Sequence, residues 1–330
     1  MSKTTVLNVL HECQDRWVSL RGLATRTALS GEALRLELRH LEQAGYSLER
    51  HPRYGYRLKT VPDRLLPDEI QRGLETSIIG RDILTYEEVD STMDVAKAMA
   101  EKGAREGTCV FAEFQRRGRG RANRRWMCPR YKGLLISIIL RPKIPYGRVC
   151  FISGMVAVAV AEAIRDELGL EALIKWPNDV LVNNKKTCGI LVEAETPKGK
   201  EPYFLAGIGL NVNLSSKELP REVIYPATSP LIELGRPIDR ITLARAVLQH
   251  LDRWYRRLKE GDYKGIKERL VQLSTTIGHR ALVEEEGAEY TGRIIDLSTT
   301  GGVIMELDTG QRKTLRWEHM TIKKVYKDRD

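Results

Sequence analysis

Residues 174–195 read IKWPNDVLVNNKKTCGILVEAE. Pro177-Asn178 and Asn183-Asn184, residue types that set or tolerate turn dihedrals, divide this stretch into three aliphatic runs. The spacing predicts a strand from Ile174, a turn, a strand over Val180 to Val182, a turn, and a strand from Cys188 to Ala194. Asp179 then falls at a strand edge and Lys186 just past the tight turn, seven residues on. A carboxylate and an ammonium so placed suit metal-assisted nucleotidyl chemistry. The acid can hold Mg²⁺, and the amine neutralises charge on a reacting carboxylate and an α-phosphate. Taken singly, each is an ordinary turn acid or surface lysine.

Upstream, Gln115 to Trp126 reads QRRGRGRANRRW, with Arg116, Arg117, Arg119, Arg121, Arg124 and Arg125, two glycines and no acid. Glycine lets the backbone approach a ligand closely, and arginine offers a planar fork matched to phosphate. Such a loop should be mobile when empty and should order around a polyanion. Alone, it reads equally well as a solvated basic loop or an RGG-type nucleic-acid contact. It lies between the apolar runs CVFAEF (109–114) and LLISIIL (134–140), as an excursion between neighbouring strands, where functional loops grow. Before it, Ser91 or Thr92 caps a helix from Met93 to Lys102 that Gly103 closes. After it, residues 152–168 are apolar on most of a helical surface and predict a helix buried on the sheet. From Asn213 to Pro230 a polar, proline-bearing segment reads as a second mobile loop. Ile241 to Lys259 follows as an amphipathic helix with Leu243, Val247, Leu251 and Leu258 inward. Beyond Gly278 the chain changes to short alternating strands (ALVEEE, YTGRIIDL, GVIMEL, KTLRW) parted by glycine turns, which predicts a small β-barrel.

The N-terminal stretch predicts three short helices: residues 4–14, one capped by Ser19, and one capped by Ser30 with Leu34, Leu38 and Leu41 as its inner stripe. Gly45 ends the third, and a hairpin from Tyr46 to Leu58 turns around Pro52–Gly55. Arg35, Arg39 and His40 share the outer side of the third helix, and Arg50, His51, Arg53 and Arg57 ride on the hairpin. This is the pattern of a winged helix-turn-helix whose third helix enters the major groove while the wing meets the backbone. The plainer reading is a helical interaction module with a solvated basic face. Residues 61–80, with two prolines and little periodicity, read as a linker.

The chain has 330 residues, enough for two or three domains, and 54 Lys+Arg against 44 Asp+Glu, a balance that favours an anionic partner without choosing one. Five cysteines at wide, unpaired spacings argue against a disulfide framework or zinc site and fit a reducing cytoplasm. No run is long and apolar enough for a signal peptide or a membrane span, so a soluble, cytoplasmic chain with no membrane partner is expected.

Together QRRGRGRANRRW, KWPND (175–179), KKTCGILVE (185–193) and GIGLNVN (207–213) resemble, in order and spacing, the signature blocks of biotin–protein ligases. The N-terminal stretch matches the bifunctional type, ligase and biotin-operon repressor, so the resemblance covers essentially the whole chain. It implies an α+β, multidomain fold. Residues 1–60 would be the winged helix-turn-helix and 61–80 the linker. Residues 81–273 would be a central mixed α/β sheet domain of the biotinyl/lipoyl ligase (class II synthetase-like) type, and 274–330 an SH3-like β-barrel. It implies that biotin and ATP, with Mg²⁺, give biotinyl-5′-AMP, and that biotin then passes to a lysine of the biotin carboxyl carrier domain of acetyl-CoA carboxylase. No protein nucleophile is needed. It also implies a homodimer, formed on adenylate binding, that represses at operator DNA upstream of biotin genes.

Carried over by position, Ser91, Thr92, Met93 and Gln115 would hold biotin's ureido head, with Arg119, Gly120 and Arg121 helping through their backbone. Arg119, Arg121 and Arg124 would close over the adenylate phosphate beside Trp126, with Lys175, Asn178 and Asn211 at the nucleotide. Lys186 would sit on the biotin carboxylate and α-phosphate, Gly189 would admit the ligand to the backbone, and Asp179 would place the metal. Arg119 and Arg121 join Lys186 as catalytic candidates, and Arg35, Arg39, His40, Arg50 and Arg53 are the DNA-binding set. Three positions depart from the family pattern: Met93 for asparagine, Asn123 for glycine and Cys188 for alanine. Two other readings compete: a small-molecule-sensing transcription factor on an inactive ligase fold, and a lipoate-type ligase.

Overall fold

A computed structural model describes residues 5–13, 16–121, 124–196, 201–220, 226–298, 301–316 and 319–326. Asn123 lies outside them. The chain divides into two compact units, residues 1–64 and 65–330.

The first unit holds α1 (Val6–Glu12), α2 (Leu20–Thr27), α3 (Gly31–Gln43) and an antiparallel hairpin of β1 (Ser47–His51) and β2 (Gly55–Thr60). Each helix starts on a hydroxyl that accepts an otherwise orphaned amide: Thr5 from Asn8, Ser19 from Gly22 and Ser30 from Ala33. Leu34 and Leu38 of α3 are buried with Val6, Leu7, Val9, Leu10 and Leu23, whereas Leu41 is only partly buried and Leu20 is exposed. The hairpin turn closes on a side chain. His51 Nδ1 accepts the amides of Arg53 at 3.1 Å and Tyr54 at 3.2 Å, and its ring stacks on Tyr54. Gly55, with φ of +96°, lies where a Cβ would strike the Val18 carbonyl at 2.1 Å.

The second unit begins not with a linker but with a packed strap. Leu65, Ile70 and Ile79 belong to its main core, around α4 (Pro67–Gln71). Its anchors come from far along the chain. Asp252 accepts the amides of Ser77, Ile78 and Ile79 at 3.0, 2.7 and 2.9 Å, and Arg245 donates to the Glu69 carbonyl. Then follow β3 (Ile83–Tyr86), α5 (Thr92–Glu101), β4 (Cys109–Ala112), β5 (Gly133–Leu140), α6 (Cys150–Leu168), β6 (Ala172–Lys175), β7 (Asp179–Val182), β8 (Lys185–Glu195) and β9 (Tyr203–Asn211). These strands form one mixed sheet in the order β3-β4-β5-β9-β8-β7-β6, antiparallel except for β3 and β4. Asn183 and Asn184 both take positive φ (49° and 59°) in the tight turn between β7 and β8.

Strand alternation gives the sheet two unlike faces. Leu134, Ile136, Ile138, Val180, Cys188, Ile190, Ile208 and Leu210 face the core around α6, which is buried along residues 150–164. The helices α7 (Pro230–Leu234), α8 (Arg240–Lys259) and α9 (Tyr263–Leu273) complete the α-helices, and Leu243, Val247, Leu251 and Leu258 of α8 are buried as predicted. The one acid on the buried stretch of α6, Glu162, accepts from Trp254 and Arg269, each at 2.7 Å, and contacts His250. Burial works against its charge, but these hydrogen bonds prevail and hold the carboxyl down at about 2.

The last part is a five-stranded antiparallel sheet of β10 (Arg280–Glu285), β11 (Ala288–Leu297), β12 (Val303–Leu307), β13 (Arg312–Leu315) and β14 (Met320–Tyr326), in the order β13-β12-β11-β10-β14. Its inner residues, among them Val283, Ile294, Met305 and Leu315, continue the main core. Neither α9 nor β14 was legible as an element in the sequence. Among the described residues, no helix is long and apolar enough to cross a membrane.

Candidate functional site

The other face of the sheet carries the site. Leu135, Gly209, Gly189 and Asp179 lie side by side on β5, β9, β8 and β7, and Ser137, Gly207 and Leu191 form the next row on the same face. Three glycines in adjoining places leave a stretch of bare backbone. The space over them is used: a Cβ on Gly207 would meet Met93 Sδ at 2.8 Å, and one on Gly209 would meet the Trp126 indole at 2.4 Å. A Cβ on Gly189 would meet Trp126 at 2.9 Å and Lys186 Nζ at 3.2 Å.

One end of this floor is polar and buried. Ser91 caps α5, accepting from the Met93 amide at 3.3 Å. Thr92 donates from its amide (2.7 Å) and its hydroxyl (3.0 Å) to Gln115 Oε1, and its hydroxyl also lies 2.7 Å from Ser137 Oγ. Ser137 sits inside LLISIIL, fully buried, and was not foreseen. A lone serine in an apolar run reads as strand filler, and only the register sets it beside Thr92.

At the other end, Lys186 Nζ is 2.6 Å from Asp179 Oδ1 and 5.7 Å from the centre of the Trp126 ring. Arg121 donates to Asn178 Oδ1 at 3.4 Å, and Asn178 exchanges two hydrogen bonds of 2.9 Å with Ile190, fixing the turn that presents Asp179. Lys175 faces Asp179 across the β6–β7 ladder. Burial pushes its ammonium down to about 8; Asp179 opposes the shift, and Lys186 and Arg124 add to it. Burial likewise lowers Arg121, against the pull of Asp179 and with the push of Arg124. Lys186, Lys175 and Arg121 thus lie around one carboxylate, and the charge of Arg124 is felt at the latter two, so positive charge is in excess at this end.

The arginine loop is a tight hairpin rather than an open strand of chain. Trp126 donates to the Gly118 carbonyl at 2.9 Å and Gly120 to Arg124 at 2.7 Å, and Arg119 bridges Arg125. A Cβ at Gly118 would strike the Trp126 carbonyl at 2.4 Å, so the pairing requires glycine there. Its arginines do not act as one set. Arg116 is bound to Glu88 and Asp90, and Arg119 to Asp94 at 2.6 Å and Glu193 at 3.5 Å. For Arg119, burial disfavours the charge, but these partners outweigh it and raise the guanidinium's affinity for its proton. Asn211 is buried, and its amide donates to the Thr228 carbonyl at 3.1 Å. The segment it holds also pairs with Lys186: Lys186 N donates to Pro226, and Thr228 N to Lys186. Cys188 points to the opposite face, into the core.

In the first unit, Arg35, Arg39 and His40 are exposed on α3, and Arg53 is exposed on the hairpin turn. Arg50 is bound to Glu42 at 2.7 Å and Arg57 to Glu49, so these two are partly committed within the unit.

Fold and site together define a mixed α/β domain whose glycine floor runs between a polar end and a cationic end. A family model described as the biotin/lipoate A/B protein ligase family matches residues 86–213. The chain is 30% identical over 308 residues to the bifunctional ligase/repressor BirA of Bacillus subtilis, covering 93% of this chain and 95% of that one. It is 31% identical over 271 residues to the biotin–[acetyl-CoA-carboxylase] ligase of Mycobacterium tuberculosis, covering 77% and 95%. Among solved structures, the biotin protein ligase from Aquifex aeolicus in complex with biotin and ATP superposes with a TM-score of 0.64 at 28% identity, over 73% of this chain and 98% of that one. The chain belongs to the biotin/lipoate A/B protein ligase family.

Proposed function

We propose that this chain is a biotin–protein ligase that joins biotin and ATP as biotinyl-5′-AMP and passes biotin to a lysine of the biotin carboxyl carrier domain of acetyl-CoA carboxylase. The observation that carries the reading is the pairing of a polar end, buried at Thr92 and Ser137 and partly buried at Gln115, with a cationic end (Lys175, Lys186, Arg121, Arg124) across a glycine floor. The polar end has the donors and acceptors a ureido ring requires, and this favours biotin over the dithiolane of lipoate. The cationic end receives the acid's carboxylate and the α-phosphate. Lys186 leaves Asp179 for the reacting oxygens and neutralises charge as they approach, while Trp126 and the hairpin exclude water. Arg119 reaches a phosphate only by exchanging Asp94 and Glu193 for it. The biotin carboxylate displaces pyrophosphate from the α-phosphorus, and the anhydride formed is the electrophile that the acceptor lysine attacks, releasing AMP.

Mg²⁺ belongs in this reading with the phosphates of ATP rather than as a resident ion. Asp179 is a single carboxylate held by Lys186, and among the described residues no three His, Cys, Asp or Glu side chains gather to hold a metal. Asp179 is the residue that would meet the ion. Biotin-dependent exchange of pyrophosphate into ATP by the purified protein tests the ligase reading, and its absence would leave a sensor on a ligase fold.

The relative's name, ligase/repressor, and the exposed arginines of α3 support a second activity. Residues 1–60 act as a winged helix-turn-helix, with Arg35, Arg39 and His40 toward bases and Arg50 and Arg53 toward phosphates, on operator DNA upstream of biotin genes. Adenylate promotes the homodimer that such a two-fold site requires. Residues 274–330 correspond to an SH3-like barrel.

A further inference from the structure

One buried ion pair stands apart from the groups described so far. Arg240, the first residue of α8, and Glu113, one residue past β4, are 2.6 Å apart with side chains 0% and 4% exposed. Each member has a further partner beyond the other. Arg240 Nη1 donates to the Gly133 carbonyl at 3.2 Å, and Glu113 Oε1 accepts the amide of Leu65 at 2.7 Å. Glu113 lies two residues before Gln115, and Gly133 begins β5 where the hairpin's chain returns. Leu65 is the first residue of the second unit, directly after Arg64 ends the first. The β4–β5 ladder has its last pair at Ala112 and Leu135, so one guanidinium bridges the two stalks just where the ladder stops. Arg240 is itself fixed. Ile238, two residues before it, exchanges two hydrogen bonds of 2.9 Å with the Asn213 side chain, and the Asn213 backbone amide donates to the Lys132 carbonyl at 2.7 Å.

A buried ion pair is a weak source of stability, because desolvation offsets most of the attraction; its directional bonds instead select one geometry. Here that geometry concerns the roots of the arginine hairpin and the point where the chain arrives from the first unit. We infer that Glu113 and Arg240 are positioning residues, a clamp that sets Gln115 and Trp126 against the glycine floor and ties that setting to the chain at Leu65. Rearrangement of the strap at Leu65 then acts on the hairpin through one shared carboxylate. The effect on catalysis rests on the ligase reading above; the effect on the hairpin does not.

The test uses the full chain with Glu113→Leu and Arg240→Met combined, an apolar pair of similar volume that leaves no charge buried alone. Such replacements are often neutral or stabilising, so the thermal midpoint should stay near wild type. Amide hydrogen exchange should then quicken at Leu65 and, in step, across Gly118–Trp126, while α6 stays protected. The KM for biotin in pyrophosphate exchange should rise about tenfold, the scale of one net hydrogen bond, with kcat less affected. Arg240→Lys keeps both charges but loses the fork that reaches Glu113 and Gly133 together. It should show the same two changes, more weakly, and it decides the question if the double variant fails to fold. Faster exchange at Leu65 with an unchanged hairpin, or an unchanged hairpin and KM in a folded variant, would overturn the clamp. A wild-type protein with no exchange activity would sink the ligase reading but leave the hydrogen-exchange result standing.

Discussion

Gly209→Ala is the sharpest probe of the site's construction. The added Cβ would lie 2.4 Å from Trp126 Cε2, 2.6 Å from Nε1 and 2.8 Å from Cδ2, against an ordinary contact of 3.4–4 Å. The indole must therefore retreat by about 1 Å, since Gly209 sits mid-strand between β5 and β8 and its backbone is held on both sides. The cost to folding should be modest, about 1–3 kcal/mol for an overpacked contact, because the ring lies at a partly exposed site and the face toward α6 is unaltered. The cost to function should be larger, because misplacing a positioning group by about 1 Å can lower a rate on the order of 10²-fold. Pyrophosphate exchange measured beside a thermal melt separates the two. A folded variant within twofold of wild-type exchange would show that Trp126 does not define the ligand's place.

Lys186→Ala should lower adenylate formation on the order of 10²–10³-fold, the usual loss for one charge contact made in the transition state, with much less effect on biotin binding. Lys185→Ala is its control, since Lys185 pairs only loosely with Glu233 at 3.6 Å and should matter little. Lys175, lowered to about 8, should lose its charge as pH rises through that value, so the KM for ATP should climb between about pH 8 and 9 and the rise should vanish in Lys175→Arg. The same shift means that the folded protein binds fewer protons than the unfolded one between about 8 and 10.5, so this group's contribution to stability improves as pH rises through that window. For the first unit, Arg35→Ala and Arg39→Ala should alter sequence preference in operator titrations. Arg53→Ala should weaken all sequences alike and reduce the salt slope by about 1, and a slope unchanged in that variant would remove the turn from the phosphate contacts.

Legibility in the sequence followed how local each cause was. KWPND to GILVE was readable because Asn183 and Asn184 enforce their turn wherever they stand, and the strands follow from it. The stripe of α8 was equally plain, since its leucines repeat with the helix period. Within 61–80, read as a linker, residues 65–79 pack instead, because their anchors lie far along the chain: Glu113 for Leu65, and Arg245 and Asp252 more than 170 residues from the groups they hold. Ser137 and the role of Gly207 and Gly209 were missed for a related reason. Glycines at alternate positions of GIGLN do signal a strand with one bare face, but what fills that face comes from Met93 and Trp126. The partners within the arginine loop were not legible, because the acids that engage Arg116 and Arg119 lie on other elements.

The two rows across the sheet also act as a ruler. From Ser137 on β5 to Asp179 on β7 the register crosses β9 and β8, three interstrand steps. At roughly 4.8 Å each, and with the two-residue offset between the rows adding about 7 Å along the strand, that places the polar head site and the cationic site about 16 Å apart, a span set by backbone hydrogen bonds and not by any side chain. Acids whose chain is shorter or longer would fail to reach both ends together, however well either end bound. The length tolerated by such an enzyme is therefore hard to retune by point substitution at the walls, because changing it means adding or removing a strand.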